Sequence, residues 1–306
     1  QSPSVLESQD SLDLLDIMGN FYDDFSYNDT SNGTFLDYAD AAPCHNQYCP
    51  LFQRVAPPFL AVTCAAAVLG TGALLVALAK RPQAWCWPQS RVLVAQLAVG
   101  TGLFAALLPP VAVGIRQGWQ LGTGLCRLTQ LLWHWSLFAQ GLLVASGSCS
   151  TIWCCWDSRS RRLVVTVWLG ALALAVPAAL TSGTVAAPET SCLRRSVDVL
   201  SPLYLLYLAL CLCLFLLLPA GLLAATLASP RLRAGWQPAV GASWLFFGLW
   251  APYGVGLAGD FLLRAQLLQL TCGTFEHFDH ALGLSEGLGV LHCCLAPATL
   301  LALQFC

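Results

Sequence analysis

The first 53 residues of this 306-residue chain, which we call the acidic tail, carry a charge pattern suited to binding a cationic partner. The tail has nine carboxylates and no Lys or Arg before Arg54, so its formal charge is −9, whereas the remaining residues carry +7. The nine are Glu7, Asp10, Asp13, Asp16, Asp23, Asp24, Asp29, Asp37 and Asp40. Carboxylates spread along a segment attract a basic ligand and speed its association. A segment this polar is predicted to be disordered until it binds.

Three tyrosines of the tail lie next to these carboxylates. Tyr22 precedes Asp23 and Asp24, Tyr27 lies two residues before Asp29, and Tyr38 lies between Asp37 and Asp40. Tyrosines flanked by Asp in a secreted segment are candidates for sulfation, and a sulfate would add negative charge and acceptors for Arg and Lys. The alternative is that the tyrosines are unmodified and make apolar contacts only.

The rest of the chain has the composition of a membrane protein. The whole sequence is 57% hydrophobic and only 10% charged, whereas soluble domains carry roughly 25% charged residues. About 20 apolar residues cross a bilayer as a helix, which satisfies its backbone internally. Seven such spans are predicted, at 56–79, 92–115, 127–151, 163–183, 202–228, 238–262 and 279–305. The fold class is therefore an all-α membrane protein, with a tail (1–53) and a seven-transmembrane helix bundle (54–306).

Two features predict that the tail is extracellular. Asn28 and Asn32 each begin an N-x-Thr sequon, which is glycosylated only in the secretory lumen. With the tail outside, the loops predicted to be cytoplasmic contain eight Lys and Arg residues and the outer segments contain six. This bias has the sign of the positive-inside rule. The prediction is a multi-pass plasma-membrane protein that could also reach endosomes on recycling.

Five of the fifteen cysteines lie in segments predicted to be outside the cell, where disulfides persist: Cys44, Cys49, Cys126, Cys192 and Cys272. A bond between Cys126 and Cys192 would hold the second outer loop over the bundle mouth. Cys272 would need a partner in the tail, either Cys44 or Cys49. Connectivity cannot be read from sequence alone.

Within the spans, the charged residues cluster toward one end. Glu286 in the seventh span is a candidate ligand contact, because ionisable residues in a membrane span are costly and tend to be functional; the alternative is a structural hydrogen bond. Asp260 and Arg264 are expected to pair one helical turn apart. The histidines His134 and His292 are expected to be buried and hydrogen-bonded.

Other chemistry is weakly supported by the residues. Glu276, His277, Asp279 and His280 are interpreted as solvated rim residues rather than a metal site, and no cofactor or nucleic-acid partner is predicted. A serine and histidine on one helix without an oxyanion site do not indicate an enzyme. A transporter would need charges lining a path through the membrane, and the few intramembrane charges lie toward one mouth.

The landmarks along the spans resemble those of rhodopsin-like seven-helix receptors, and among them the chemokine receptors. Trp250-Ala251-Pro252 resembles the family's C-W-x-P, and residues 285–297 resemble its E-x-L-x-x-x-H-C-C-x-N-P. Further runs at 41–45, 95–100, 138–140 and 260–262 resemble the Duffy-type atypical chemokine receptors. This resemblance implies disulfides Cys126–Cys192 and Cys44–Cys272, a ligand contact at Glu286 and sulfation at Tyr38.

The positions that form the signalling switch in such receptors are altered here. The D-R-Y motif is replaced by Ser150-Thr151-Ile152, and the Asp of the sodium site is replaced by Gly100. In the N-P-x-x-Y motif, Ala296 and Leu300 replace the Asn and Tyr. A ligand shifts an equilibrium only when it binds two states differently, and these groups normally link the two states. The resemblance therefore implies a receptor that binds ligand without activating G protein.

The function expected from this resemblance is a non-signalling chemokine receptor that binds several chemokines and sequesters, scavenges or transports them. The alternatives are a conventional G-protein-coupled chemokine or peptide receptor and, more distantly, a membrane transporter. The expected partners are chemokines and the lipid bilayer. The sequence leaves open whether the receptor forms homo- or hetero-oligomers.

Overall fold

Seven long helical segments make up almost all of the structure. The computed structural model describes residues 49–80, 88–153, 160–186, 190–193, 200–228, 238–268 and 271–303. The helices are α1 (Cys49–Lys80), α2 (Pro88–Gln117), α3 (Gly122–Trp153), α4 (Ser160–Leu180), α5 (Pro202–Ala228), α6 (Pro238–Arg264) and α7, which runs as Cys272–Val290 and His292–Leu303. Each contains most of one predicted span, so the prediction of an all-α, seven-helix membrane bundle is confirmed.

Helix α3 differs from the other six in composition and position. In the described part of the chain, α1, α2, α4, α5, α6 and α7 are each long and apolar enough to cross a membrane. Helix α3 has 32 residues, but it carries Gln130, His134 and Gln140, all of them buried. It packs against α2, α4, α5 and α6. Polar side chains are tolerated at membrane depth when they face protein rather than lipid, so the most polar helix lies at the centre of the bundle.

Several helix ends differ from the predicted spans because polar residues extend or stop the helices. The seventh helix begins at Cys272 rather than 279, since the side chain of Thr271 caps it by accepting a hydrogen bond from the backbone N–H of Thr274. The fourth ends at Leu180 rather than 183. There the hydroxyls of Thr181 and Ser182 donate to carbonyl oxygens of the last turn.

A two-stranded antiparallel hairpin joins α4 to α5, an element that the sequence did not predict. Its strands are β1 (Gly183–Ala186) and β2 (Thr190–Leu193), with Thr184 opposite Cys192. Strand β1 contacts α3 and strand β2 contacts α2. We call this end of the bundle, where α1, α3, α5 and α7 begin, the hairpin end, and the other end the opposite end.

Helix α5 contains a π-helical turn, Cys213–Leu217, just before Pro219. Proline has no backbone N–H, and its ring crowds the carbonyl four residues earlier. Widening the preceding turn relieves this crowding. The turn places Phe215 against Trp250 of α6, with the two rings stacked at a centroid distance of 5.5 Å.

Candidate functional site

The hairpin is covalently attached to the bundle. A disulfide joins Cys126, in the first turns of α3, to Cys192 of β2, which confirms this predicted pair. Two hydrogen bonds support the same attachment. Arg127 Nε donates to the carbonyl oxygen of Ser182 over 3.2 Å, and the hydroxyls of Thr123 and Thr184 lie 2.6 Å apart. The hairpin is therefore fixed over α2 and α3 at this end.

A polar contact between α3 and α5 lies about two helical turns along α3 from the disulfide. The ring nitrogens of His134 lie 2.8 Å from the carbonyl oxygen of Gln130 and 3.2 Å from the hydroxyl of Tyr207. Both His134 and Tyr207 are buried. The expectation that His134 is a buried, hydrogen-bonded histidine is confirmed.

Glu286 lies on the side of α7 that faces the bundle. Residues three and four apart share one face of a helix, and Leu282, Gly289 and Val290, which share the face of Glu286, are all buried. Glu286 itself is half-buried. A carboxylate is thus present on the inward side of α7 near the hairpin end, which is suitable for a cationic group that enters from that end.

The other charged residues of this end differ in exposure, since Asp260 is buried and His277 is exposed. Asp260 and Arg264 form the predicted i,i+4 ion pair, with 3.2 Å between Arg264 Nε and Asp260 Oδ2. His277 is exposed, whereas His280 is half-buried and contacts the ring of Phe52 in α1 at a centroid distance of 5.2 Å. Among the described residues, no three His, Cys, Asp or Glu side chains are grouped as metal ligands would be.

Most predicted ligand-contacting residues lie outside the described residues. These are Tyr22, Asp23, Asp24, Tyr27, Asp37, Tyr38 and Asp40, together with the sequon residues Asn28 and Asn32 and the cysteine Cys44. Cys272 begins α7, but its side chain is also outside the described part. The predicted tail contacts, glycans and tail disulfide therefore stay predictions.

The altered switch positions are distributed over α2, α3 and α7. Ser150, Thr151 and Ile152 lie within α3, which continues to Trp153, and their side chains are outside the described part. In α7, Ala296 is half-buried and Leu300 is buried. Between them, Pro297 packs against Gly70 of α1, where an added Cβ would lie 3.2 Å from the proline ring. An apolar contact between Pro297 and Gly70 thus lies between the two altered positions of α7.

Gly100 of α2 is buried directly against Gln140 of α3. A Cβ at position 100 would lie 2.7 Å from Gln140 Cγ and 3.3 Å from Cδ, so no larger side chain fits without moving Gln140. Sequence reasoning noted the missing Asp at this position but missed the role of Gln140. The available signal was an amide in mid-span, which is costly in a membrane unless it has partners.

The amide of Gln140 joins a hydrogen-bonded chain through the centre of the bundle. Its Oε1 lies 3.1 Å from Thr101 Oγ1, which donates, and 3.2 Å from His292 Nε2, while its Nε2 donates to the carbonyl oxygen of Ser136. Trp250 Nε1 lies 3.2 Å from His292 Nδ1 and donates to it. His292 Nδ1 also lies 2.8 Å from the carbonyl oxygen of Gly289, so the tautomer of the ring decides which of its two nitrogens donates. All of these side chains are buried, which confirms the expectation for His292.

Aromatic side chains surround this chain of hydrogen bonds. Phe104 of α2 meets both Trp250 and His292 edge-on, at centroid distances of 6.3 and 5.0 Å. Trp133 of α3 lies 4.3 Å from Phe104. These rings and the stacked Phe215 make a dense layer, which separates the half of the bundle that contains Glu286 from the opposite half.

Comparison with known proteins identifies the family. No family model matches the chain. It is 33% identical over 317 residues to atypical chemokine receptor 1 of Gorilla gorilla gorilla, covering 98% of this chain and 88% of that protein. It is 34% identical over 323 residues to the same receptor of Homo sapiens, covering 100% and 89%. It is 34% identical over 296 residues to the same receptor of Mus musculus, covering 94% of this chain and 83% of that protein. With its seven-helix fold and its disulfide between α3 and the hairpin, the chain belongs to the atypical chemokine receptor 1 family.

Proposed function

We propose that this receptor binds chemokines at the hairpin end of the bundle and sequesters, scavenges or transports them without activating G protein. The observation that carries the proposal is the similarity along nearly the whole chain to proteins named atypical chemokine receptor 1. The altered residues Gly100, Thr151, Ala296 and Leu300 support the second half of the proposal, because none of them carries the charge or polar reach of the signalling motif it replaces.

Binding would proceed in two steps. The acidic tail, extracellular in this proposal, attracts the basic chemokine first, and sulfated Tyr38 with Asp37 and Asp40 adds negative charge next to the bundle. The chemokine N-terminus then enters at the hairpin end and approaches Glu286. A second disulfide, Cys44–Cys272, would hold the tail at the start of α7. The receptor would act at the plasma membrane and on recycling endosomes, and its oligomeric state is not part of the proposal.

The experiment is to measure binding of a labelled panel of chemokines to cells that express the chain, with G-protein activation recorded in the same cells. We expect saturable binding of several chemokines and no activation above that of untransfected cells. Activation that rises with receptor occupancy would contradict the silent part of the proposal. Absence of binding at verified surface expression would contradict the chemokine part.

Substitution of Glu286 tests the second step separately. Glu286→Gln keeps the shape of the side chain and removes the charge, so we expect chemokine affinity to fall by roughly tenfold, as for loss of one partly buried charge contact. The matched control is Glu276→Gln, which removes a carboxylate from the first turns of the same helix. Equal affinities of the two variants and the wild type would show that the inward carboxylate does not contact the ligand.

A further inference from the structure

The contact between Gly100 and Gln140 fixes the amide in one place. The Gln140 side chain occupies the volume that any side chain at position 100 would need, with 2.7 Å between its Cγ and an added Cβ. Gly102, two residues further along α2, has no atom within 4 Å of its own added Cβ. Gly102 therefore provides a matched control for Gly100 within the same helix, whereas Gly114 is itself packed 2.7 Å from Trp119.

The hydrogen bonds of Gln140 connect four helices. Thr101 belongs to α2, Gln140 to α3, His292 to α7, and Trp250, bonded to His292, to α6. These helices include α6 and α7. A structural change at the hairpin end can reach the opposite end of the bundle only if these two helices move there. A buried polar group that loses its partner is costly because it cannot bond to water, so the four helices resist separation at this level.

Trp250 is held from the remaining sides by close packing. A Cβ at Gly289 of α7 would lie 2.7 Å from the Trp250 ring, which shows that the indole lies directly on the α7 backbone. Phe215, which lies in the π-helical turn of α5, stacks on the Trp250 ring. Trp250 is fully buried, and its Nε1–H is committed to His292.

We propose that Gln140 is a positioning residue that holds His292 and Trp250 in one conformation, so that ligand binding near Glu286 is not transmitted to the opposite ends of α6 and α7. This inference rests on the proposed function for the identity of the ligand. Gln140 contacts no ligand in this scheme. It acts by filling the space beside Gly100 and by joining Thr101 and His292 through one amide.

Hydrogen–deuterium exchange of the purified full chain, with and without a chemokine that binds it, tests the proposal. In the wild type we expect chemokine to protect backbone amides around the hairpin and to leave exchange unchanged at 238–247 of α6 and 296–303 of α7. Gln140→Met keeps an unbranched side chain of similar length and removes the amide. In this variant we expect chemokine to change exchange at both segments by about fivefold or more, because local opening there is no longer opposed.

Gly100→Ala provides a second variant if Gln140→Met does not fold. Its methyl group displaces Gln140, so the same chemokine-dependent exchange should appear, whereas the control Gly102→Ala should behave as wild type. A purely structural role of Gln140 would lower thermal stability without creating this ligand dependence. Ligand-dependent exchange at 238–247 or 296–303 in the wild type, or none in either Gln140→Met or Gly100→Ala, would overturn the proposal.

Failure of the proposed function would be recognised separately, as absence of chemokine binding to the wild type. The inference would then be decided by exchange without ligand. Faster exchange confined to the two segments, with the rest of the bundle unchanged, in Gln140→Met and Gly100→Ala but not in Gly102→Ala would support it. Equal exchange in all four proteins would overturn it.

Discussion

Gln140 and Gly100 form a complementary pair, because the Gln140 side chain fills the space that a side chain at position 100 would occupy. In the signalling receptors that the sequence resembles, a carboxylate would stand at position 100, and here the nearest atoms to that position belong to Gln140. An amide oxygen that accepts from Thr101 and lies 3.2 Å from His292 Nε2 leaves little room for a cation. The space between α2 and α3 is therefore unsuited to sodium.

We accordingly expect the thermal stability of the purified receptor to be independent of sodium. Replacing NaCl by KCl or choline chloride at equal ionic strength should shift the Tm by less than about 1 °C, since a bound ion stabilises only in proportion to its occupancy. The Tm in each salt can be measured by thermal unfolding, followed with a probe that does not react with thiols, such as intrinsic fluorescence. A sodium-specific rise in Tm that saturates with concentration would show that an ion site is present.

At the residue scale, local patterns predicted contacts well when the partners were close in sequence or belonged to a family motif. The Asp260–Arg264 pair follows from helical spacing, and Cys126–Cys192 follows from the resemblance. The hydrogen bond between Gln140 and His292 joins residues 152 positions apart. No periodicity carries information about such a pair, which arises only when α3 and α7 are packed in one bundle.

At the scale of elements, the hairpin depends on its attachment to α3. Its two strands of four residues are too short to be stable alone. The disulfide and the hydrogen bonds from Arg127 and Thr123 hold it against the bundle. The position of the hairpin therefore depends on the disulfide and on these two hydrogen bonds.

Cys126→Ser should abolish chemokine binding, because the released hairpin no longer has a fixed position over α2 and α3. The control is Cys213→Ser, which alters a free, exposed cysteine of α5 and should leave affinity unchanged. Binding isotherms on cells matched for surface expression provide the measurement. Wild-type affinity of Cys126→Ser at normal surface levels would show that the attachment is dispensable for binding.

The helices were easier to predict than the segments between them. Apolar runs of membrane length indicate a span whatever the neighbouring helices are, and all seven predicted spans contain a helix. Helix ends depend on individual caps such as Thr271, and the hairpin depends on the disulfide partner of Cys192. Neither produces the long apolar pattern on which span prediction relies.

At the scale of the whole molecule, opposite charges are separated along the chain. The tail has a formal charge of −9 and the rest has +7. Exposed charges act over about 8 Å at physiological ionic strength and over longer distances in dilute salt. The tail can therefore act on a basic ligand before any contact forms.

We expect the association rate constant of a basic chemokine to fall by roughly tenfold between 50 and 300 mM salt, with a smaller effect on dissociation. Surface plasmon resonance on the purified receptor gives both rate constants. A variant with Asp23, Asp24, Asp37 and Asp40 changed to Asn should show a weaker salt dependence. An association rate that does not vary with salt in either protein would contradict capture by the tail.

The polar character of α3 has a consequence for how the protein is made. A nascent helix with Gln130, His134 and Gln140 partitions into lipid less readily than its neighbours, since these side chains have no partners in hydrocarbon. The partner of Gln140 on α7 is His292, which is synthesised 152 residues later. Thr101 of α2, which also bonds Gln140, is already present when α3 emerges. A ribosome that stops before residue 292 therefore leaves the amide with its partner on α2 but without the imidazole of α7.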